Sequence, residues 1–252
     1  MKVIFVGAGP GNPDLLTVAA ERLLRNCAIC IYAGSLVSPG VMSIVNHDAE
    51  LHNSATMSLG EIIAVCGNAQ KRNLDVVRLH SGDPSLYGAI REQMNELDRI
   101  GIAYEVIPGV SSFQAAAAAL QTELTAPEVA QTVILTRTAG RTPLPAGQEL
   151  EKLAGVQATL CIFLSGHKID EVVETLAASY GSDCPAAVVY HASWPDQQII
   201  RGILSDIAQK VRLAGIGRTS LIIVGRALKR DIPASKLYDA AFSHKFREGK
   251  EQ

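Results

Sequence analysis

Short apolar runs that alternate with segments of helical periodicity are the feature that most constrains the fold of this chain. The first run, Val3–Val6, is continuous and is followed by glycines, which is typical of a buried strand in a parallel sheet. Apolar residues then recur at helical spacing as far as Leu24. Similar strand-like and helical segments follow along the rest of the chain. This alternation predicts an α/β protein in which helices cover the faces of mostly parallel sheets.

A polar stretch at Leu120–Val129 interrupts this pattern and predicts a boundary between two lobes, 1–122 and 123–252. We expect each lobe to contain a mixed, mostly parallel sheet flanked by helices. The predicted strands are Val3–Val6, Ala28–Tyr32, Asp75–Leu79, Tyr104–Ile107, Val133–Thr136, Thr159–Leu164, Ala186–Tyr190 and Ser220–Val224. The predicted helices are one that starts at Asn12-Pro13, then Leu59–Gln70, Ser85–Arg99, Ser111–Leu120, Lys168–Tyr180 and Leu204–Leu213.

Composition excludes several classes of protein. Apolar residues make up 48% of the chain and charged residues 19%, as in well-packed globular proteins. The 23 basic and 25 acidic residues leave no positive charge that would attract nucleic acid or an anionic membrane. No apolar run approaches the about 20 residues of a membrane span. The glycines from Gly7 break the first apolar stretch too early for a signal peptide. We therefore expect a cytoplasmic protein with no nucleic-acid or membrane partner.

The cysteines and histidines do not have the spacing of a metal site. Cys27 and Cys30 are spaced like a redox or zinc pair, but they lie in a strand-like run where positions three apart face opposite ways. We interpret the five scattered cysteines as buried free thiols. The six histidines lack the short spacing of zinc ligands, so we expect no metal.

A glycine-rich loop, Gly7–Gly11, follows the first predicted strand and precedes a helix, where backbone N–H groups can point at a ligand. A dinucleotide fingerprint would place its third glycine at Asn12. It would also need an acidic residue at the end of the second strand, and Cys30–Gly34 contains none. No Gly-Lys-Ser/Thr follows, which excludes a P-loop. The loop indicates either a tight turn or a site for a different ligand.

A second loop, Ser81–Ser85, follows the third predicted strand, at the end where open α/β sheets bind ligands. Gly82 permits close approach of a ligand to the backbone, and Pro84 can begin a helix. Asp83 could contact a ligand or could simply cap that helix. We interpret the two loops as the frame of a small-molecule site.

These two loops and four later motifs resemble the tetrapyrrole methyltransferase family, whose members transfer a methyl group from S-adenosylmethionine. The six motifs occur in the family's order and cover nearly the whole chain. The later four are Val106–Ser112, Phe163–Gly166, Val189–Ser193 and Thr219–Gly225. Three further stretches resemble the branch of the family that methylates C-11 of a corrin precursor in cobalamin biosynthesis: Tyr32–Pro39, Thr136–Pro143 and Ser193–Gly202.

The resemblance implies an active site in a cleft between the two lobes, with S-adenosylmethionine as cofactor and S-adenosylhomocysteine as its product. Relatives often have an apolar residue where this chain has Ser165, so contact at that position would be through the backbone. The implied cofactor-binding residues are Pro10, Ser81, Gly82, Asp83, Leu86, Ser111, Ser112, Ser165, Tyr190, Ala192, Thr219 and Leu221.

A tetrapyrrole substrate carries many carboxylates, which the planar fork of arginine can bind with two hydrogen bonds. The candidate substrate-binding residues are Arg91, Arg137, Arg141 and Arg201, although each could instead be a solvated surface charge. Transfer itself is an in-line displacement by a substrate carbon, for which the protein mainly supplies alignment. The family resemblance also implies a homodimer.

A proton leaves the substrate after methylation, and either water or a side chain could accept it. The candidate bases are Asp83, Tyr87 and Asp196, with His80 as a further one, and we choose none of them. Trp194 could lie against the macrocycle or could pack within the protein.

Several functions remain open. A related enzyme could methylate another corrin carbon, uroporphyrinogen III, RNA or diphthine, and a non-catalytic protein could bind the cofactor or a tetrapyrrole. The residues do not distinguish a cobalt-containing substrate from a metal-free one.

Overall fold

A computed structural model describes residues 1–140, 142–235, 239 and 241–248, so the predicted substrate residue Arg141 lies outside the described residues. The chain forms two compact units. The first contains Met1–Ala116 and His191–Gln198, and the second contains Ala117–Tyr190 and Ile199–Gln252. The predicted lobe boundary between residues 122 and 123 stays a prediction.

A parallel sheet forms the centre of the first unit, with the strand order β3-β2-β4-β1-β5. Each pair of neighbouring strands runs parallel, so this sheet is more regular than the mixed sheet that we expected. The strands are β1 (Lys2–Gly7), β2 (Ile29–Tyr32), β3 (Glu50–Asn53), β4 (Val76–His80) and β5 (Ala103–Ile107). The helices are α1 (Val18–Asn26), α2 (Pro39–Met42), α3 (Leu59–Lys71) and α4 (Ile90–Arg99). The next helix, α5 (Ser112–Leu120), begins in the first unit, and its residues from Ala117 onward belong to the second.

Strand β1 shows why its apolar run is continuous. Ile4 and Val6 lie in a buried cluster on one face of the sheet, while Val3 and Phe5 lie in a second cluster on the other. Side chains alternate between the faces of a strand, so a strand that is covered on both sides needs apolar residues at every position. This arrangement confirms the interpretation of Val3–Val6 as a central parallel strand.

The second unit contains a mixed sheet with the order β6-β7-β10-β8-β9. Strands β6 and β7 are parallel, whereas β10 runs antiparallel to both β7 and β8. The strands are β6 (Val133–Arg137), β7 (Thr159–Phe163), β8 (Pro185–Tyr190), β9 (Gln198–Ile203) and β10 (Ser220–Val224). The helices are α6 (Leu150–Ala154), α7 (Ile169–Tyr180) and α8 (Ile207–Leu213). Two sheets flanked by helices confirm the predicted α/β fold class.

Two strands were missed by the sequence pattern, and both lie at sheet edges. Strand β3 has the sequence Glu-Leu-His-Asn, and β9 buries none of its residues fully. An edge strand hydrogen-bonds on one side only and can be largely exposed, so it does not need the apolar run by which we recognised the other strands.

The helix predicted to start at Ser85 begins only at Ile90, and this is a correction to our interpretation of the second loop. Tyr87 and Ala89 have left-handed backbone conformations, with φ of 56° and 49°. Gly88 lies so close to the carbonyl of Pro84 that a Cβ atom would not fit there. The residues after Pro84 therefore form tight turns, and Asp83 does not cap a helix.

Two other helices begin several residues later than predicted. Asn12 caps only a short 3₁₀ turn, Pro13–Leu15, and α1 starts at Val18 with Thr17 as its cap. The helix predicted from Leu204 starts at Ile207, and the N–H of Leu204 donates to the carbonyl of Cys184.

All five cysteines are buried free thiols, as predicted. The argument that Cys27 and Cys30 face opposite ways was wrong, since both lie in the same apolar cluster. Cys27 precedes β2, so the alternation of a strand does not apply to it. Its hydrogen bond with Cys30, together with burial, raises the pKa of the Cys30 thiol.

In the described part of the chain, no helix has both the length and the apolarity needed to cross a bilayer.

Candidate functional site

Three loops meet at the carboxyl ends of β1, β4 and β5 in the first unit. The N–H of Ala8 donates to the carbonyl of His80 over 2.7 Å. Gly9 and Gly82 exchange two backbone hydrogen bonds, of 2.8 and 3.2 Å. Because β1 lies between β4 and β5 in the sheet, the loops that follow these strands are neighbours. The two predicted loops are thus joined through their backbones.

The third loop follows β5 and contains Gly109, which lies in the motif Val106–Ser112 but was not among the predicted site residues. A Cβ atom on Gly7 would lie 2.6 Å from the backbone nitrogen and Cα of Gly109. A Cβ on Gly109 would collide with the carbonyl oxygen of Gly82. Glycine at these positions allows the three backbones to pack without side chains between them. The sequence signal for this third loop is a glycine close to the end of a strand, as in the other two.

Asp83 ties the second loop to the third. Its Oδ2 accepts the N–H of Gly109 over 2.8 Å, and its Oδ1 accepts the N–H of Ser85 over 2.8 Å and the Ser85 hydroxyl. Burial raises the pKa of Asp83, but these three hydrogen bonds outweigh it and hold the pKa below its usual value. Both carboxylate oxygens are therefore committed to the protein, which argues against Asp83 as a proton acceptor.

The segment His191–Gln198 belongs to the first unit and holds the first loop in place. The indole N–H of Trp194 donates to the carbonyl of Pro10 over 2.8 Å. The N–H of Asn12 donates to the hydroxyl of Ser193 over 2.9 Å. The Trp194 ring occupies the space that a side chain at position 11 would need, which accounts for Gly11. Of the two roles considered for Trp194, the structure supports packing within the protein.

His191 and Asp196 form a pair on the same segment. The His191 ring stacks on Trp194 with a centroid separation of 4.5 Å. Its Nδ1 lies 2.9 Å from a carboxylate oxygen of Asp196, whose side chain is 58% exposed. The candidate base Asp196 is therefore accessible to solvent, and the other candidate, Tyr87, is 45% exposed.

His80 is the least favourable of the candidate bases. The side chain is buried, and its Nε2 has no hydrogen-bond partner among the described residues. Burial, with a smaller contribution from the positive charge of Arg78, lowers the pKa of His80 to about 3. A group with so low a pKa accepts protons poorly near neutral pH.

The remaining predicted cofactor residues of the first unit differ in exposure. Ser81 is exposed, while Leu86 and Ser112 are half-buried; Pro10, Ser111 and Ala192 are buried. The three loops, 7–14, 81–89 and 108–112, contain no lysine or arginine. They therefore consist mainly of backbone, hydroxyl and apolar groups, with the two carboxylates of Asp14 and Asp83 among them.

The predicted cofactor residues of the second unit lie on loops and strand ends of its sheet. The Ser165 hydroxyl accepts the N–H of Thr138 over 2.9 Å and donates to the carbonyl of Phe163 over 2.7 Å, so its side chain is committed internally. Tyr190 pairs with Ser220 in the β8–β10 register. Thr219 is exposed with a left-handed φ of 58°, and Leu221 is buried.

The predicted substrate-binding arginines that the structure describes differ in their surroundings. Both terminal nitrogens of Arg137 donate to backbone carbonyls of its own loop, namely those of Thr138, Thr142 and Pro143. Arg201 donates to the carbonyl of Leu120. Arg91 is exposed on α4.

No group of three potential metal ligands occurs among the residues that the structure describes.

Comparison with known proteins shows similarity to one family over most of the chain. Residues 2–208 match the model of the tetrapyrrole (corrin/porphyrin) methylases. A cobalt-precorrin-4 C(11)-methyltransferase of Methanocaldococcus jannaschii is 52% identical, with 98% of this chain and 96% of the relative covered. A precorrin-4 C(11)-methyltransferase of Pseudomonas aeruginosa is 49% identical, with coverage of 99% and 100%.

Solved structures show the same similarity. The X-ray structure of a cobalt-precorrin-4 methyltransferase from cobalamin biosynthesis matches with a TM-score of 0.88 and 41% identity, over 90% of this chain and 96% of that one. A uroporphyrin-III C-methyltransferase from Thermus thermophilus, in complex with S-adenosylhomocysteine, matches with a TM-score of 0.75 and 27% identity. That match covers 91% of this chain and 94% of the other.

Proposed function

Because the chain belongs to the tetrapyrrole (corrin/porphyrin) methylases, we propose that it transfers a methyl group from S-adenosylmethionine to C-11 of precorrin-4, giving precorrin-5. The observation that carries this proposal is 49% identity to a precorrin-4 C(11)-methyltransferase over nearly the full length of both chains. The C-11 position follows from that relative, and the methyl donor follows from the family.

The loops of the first unit fit a sulfonium cofactor in their chemistry. S-adenosylmethionine supplies an activated methyl group on a positively charged sulfur. The absence of lysine and arginine from the three described loops avoids repulsion of that charge. The exposed Ser81 and the half-buried Ser112 offer hydroxyls, whereas Gly82 is buried and its N–H and carbonyl are paired with Gly9. These loops would bind and orient the donor, since alignment supplies much of the rate in displacement reactions.

The other assigned residues keep the roles that the family resemblance implies. In this proposal Ser165 contributes through its backbone, because its hydroxyl is hydrogen-bonded internally. Tyr190, Thr219 and Leu221 remain predicted cofactor residues. Tyr87 and Asp196 remain candidate proton acceptors alongside water.

The direct test is incubation of the protein with precorrin-4 and S-adenosylmethionine carrying a ¹³C-labelled methyl group, with the product examined by NMR. We expect one label at C-11, and uroporphyrinogen III serves as the control substrate. A label at another carbon, or on uroporphyrinogen III, would assign the chain to a different branch of the family. Tight binding of S-adenosylhomocysteine without any methylated tetrapyrrole would indicate a non-catalytic binding protein.

Cobalt-precorrin-4 is a second candidate substrate, favoured by the 52% identity to the relative from Methanocaldococcus jannaschii. The same assay with cobalt-precorrin-4 decides between them through the ratio of kcat/KM for the two substrates.

We also propose that the protein works as a homodimer, as the family resemblance implies, and that it is located in the cytoplasm, as expected from the sequence. Light scattering after size-exclusion chromatography tests the assembly, and a mass of one chain at micromolar concentration would contradict it. Cell fractionation tests the location.

A further inference from the structure

A basic cavity of about 420 Å³ lies within the second unit, formed by residues after β6, after β7 and before β10. No acidic side chain lines it in the described part of the chain. Its lining residues are Arg137, Thr138, Ala139, Gly140, Thr142, Leu164, His167, Lys168 and Arg218. Its volume lies within the range of small-molecule sites.

Arg218 is the most available arginine or lysine among the described residues of the cavity. It is exposed, and within the described ranges it has neither a hydrogen bond nor an ion pair. Lys168 has one acidic neighbour, Glu171, at 2.8 Å, and that carboxylate is 57% exposed. The guanidinium of Arg137 is already hydrogen-bonded to its own loop. A ligand anion would therefore be bound mainly by Arg218 and Lys168.

The backbone positions these groups and holds one apolar side chain among them. A Cβ on Gly166 would collide with the carbonyl of Gly217, so the loop that carries Arg218 packs directly against the loop after β7. In that loop Leu164 adopts a left-handed φ of 55° and leaves 64% of its surface exposed. Left-handed backbone at a bulky residue is costly and usually marks a constrained position.

We propose that this cavity binds one carboxylate-bearing edge of the tetrapyrrole substrate, with Arg218 and Lys168 paired to its carboxylates and Leu164 against a pyrrole ring. The cavity is too small for the whole macrocycle, but it combines positive charge with an exposed apolar surface, as such an edge requires. A fully polar anion such as phosphate would leave Leu164 without a partner. This proposal rests on the proposed methyltransferase function and assigns Lys168 and Arg218 to substrate recognition.

The test compares Arg218→Gln and Lys168→Met with the control Lys152→Met, which removes an exposed lysine of α6 outside the cavity. Binding of uroporphyrin III, a stable octacarboxylate, is measured by its absorbance change and compared with binding of its methyl ester. We expect each cavity variant to weaken binding of the acid about tenfold, as loss of a charge-assisted hydrogen bond does, with little effect on the ester. The KM for precorrin-4 should rise correspondingly, while affinity for S-adenosylhomocysteine stays unchanged.

Two results overturn the proposal, and they are distinct from failure of the proposed function. If the wild-type protein methylates precorrin-4 and both cavity variants match Lys152→Met in KM and in uroporphyrin binding, the cavity does not bind substrate. If the variants lose affinity for S-adenosylhomocysteine instead, the cavity serves the cofactor. If the wild-type protein methylates no tetrapyrrole, the function itself is wrong, whatever the variants bind.

Discussion

The glycine loops of the first unit and the basic cavity of the second unit are built in opposite ways. The loops contain no lysine or arginine, and their shape depends on backbone atoms packed where no Cβ fits. Among its described lining residues the cavity has four with basic side chains, and its loops are held by side chains such as Arg137 and Ser165. A surface without positive charge suits a sulfonium donor, and a basic one suits a polycarboxylate acceptor. The two regions therefore differ both in ligand chemistry and in how substitutions should damage them.

The largest expected effect comes from Gly109→Ala. The added Cβ would collide with the carbonyl of Gly82, a backbone atom that cannot move aside cheaply. Overpacking of this kind costs about 1–3 kcal/mol, so we expect a fall in the free energy of unfolding of about 3 kcal/mol. Urea unfolding and calorimetric titration with S-adenosylhomocysteine should show loss of stability and of binding together.

Gly67→Ala is the matched control, because position 67 lies inside α3 with no atom within 4 Å of a new Cβ. It should raise the free energy of unfolding by about 1 kcal/mol. If both substitutions change the free energy of unfolding equally, close packing of backbone atoms does not determine the shape of the loops.

Ser165→Ala tests whether side-chain hydrogen bonds hold the loops of the second unit together. It leaves the buried N–H of Thr138 without its acceptor, which should cost about 1–3 kcal/mol of unfolding free energy. Ser179→Ala, at an exposed position of α7, should change stability little. Chemical denaturation measures both. A neutral effect at position 165 would show that the hydroxyl does not hold the two loops.

Asp83→Asn tests the tie between the second and third loops. The lowered pKa of Asp83 means that its stabilisation is fully present above the unfolded value of about 3.9 and is lost as pH falls through the lower folded value. The variant should therefore be less stable than wild type by about 1–2 kcal/mol at pH 7, from weaker acceptance of three hydrogen bonds. Its deficit should shrink below about pH 4. If urea titrations at pH 7 and pH 3 give the same difference in unfolding free energy between the variant and the wild type, the charge of Asp83 does not stabilise the loops.

Trp194→Phe should have the smallest effect, since it keeps a ring against the first loop and removes only the N–H that binds the carbonyl of Pro10. Loss of one hydrogen bond predicts a weakening of S-adenosylhomocysteine binding of about fivefold. Trp194 is the only tryptophan, so its fluorescence reports on this loop directly in the wild-type protein. Tyr104→Phe, which removes an exposed hydroxyl on β5, is the control. If the tryptophan fluorescence does not change when S-adenosylhomocysteine is added, Trp194 does not lie near the cofactor site.

Much of the fold could be predicted because central strands and long helices carry periodic apolar patterns. Strand β1 and helix α3 were recognised in this way. The edge strand β3 and the turns after Pro84 were missed, since neither carries such a pattern. The sequence predicted only that the first two loops lie near each other. The paired hydrogen bonds of Gly9 and Gly82 join them because of the order of the strands in the sheet.

The candidate site was predictable only in part for the same reason. Ser81, Gly82 and Asp83 stand out because they follow a strand. Arg218 and Lys168 are ordinary surface cations in the sequence, and they share a cavity because Gly166 lets the loop at Gly217 approach closely.

The sequence alone determined the class of fold, the glycine-rich loops and the resemblance to a family, because local periodicity and motif order are properties of neighbouring residues. Only the tertiary structure decided that Asp83 is committed to Gly109, that Trp194 packs on the first loop, and that a basic cavity exists in the second unit. These contacts join residues far apart in the chain. Their formation depends on strand order and on the space between backbones, which no local pattern records.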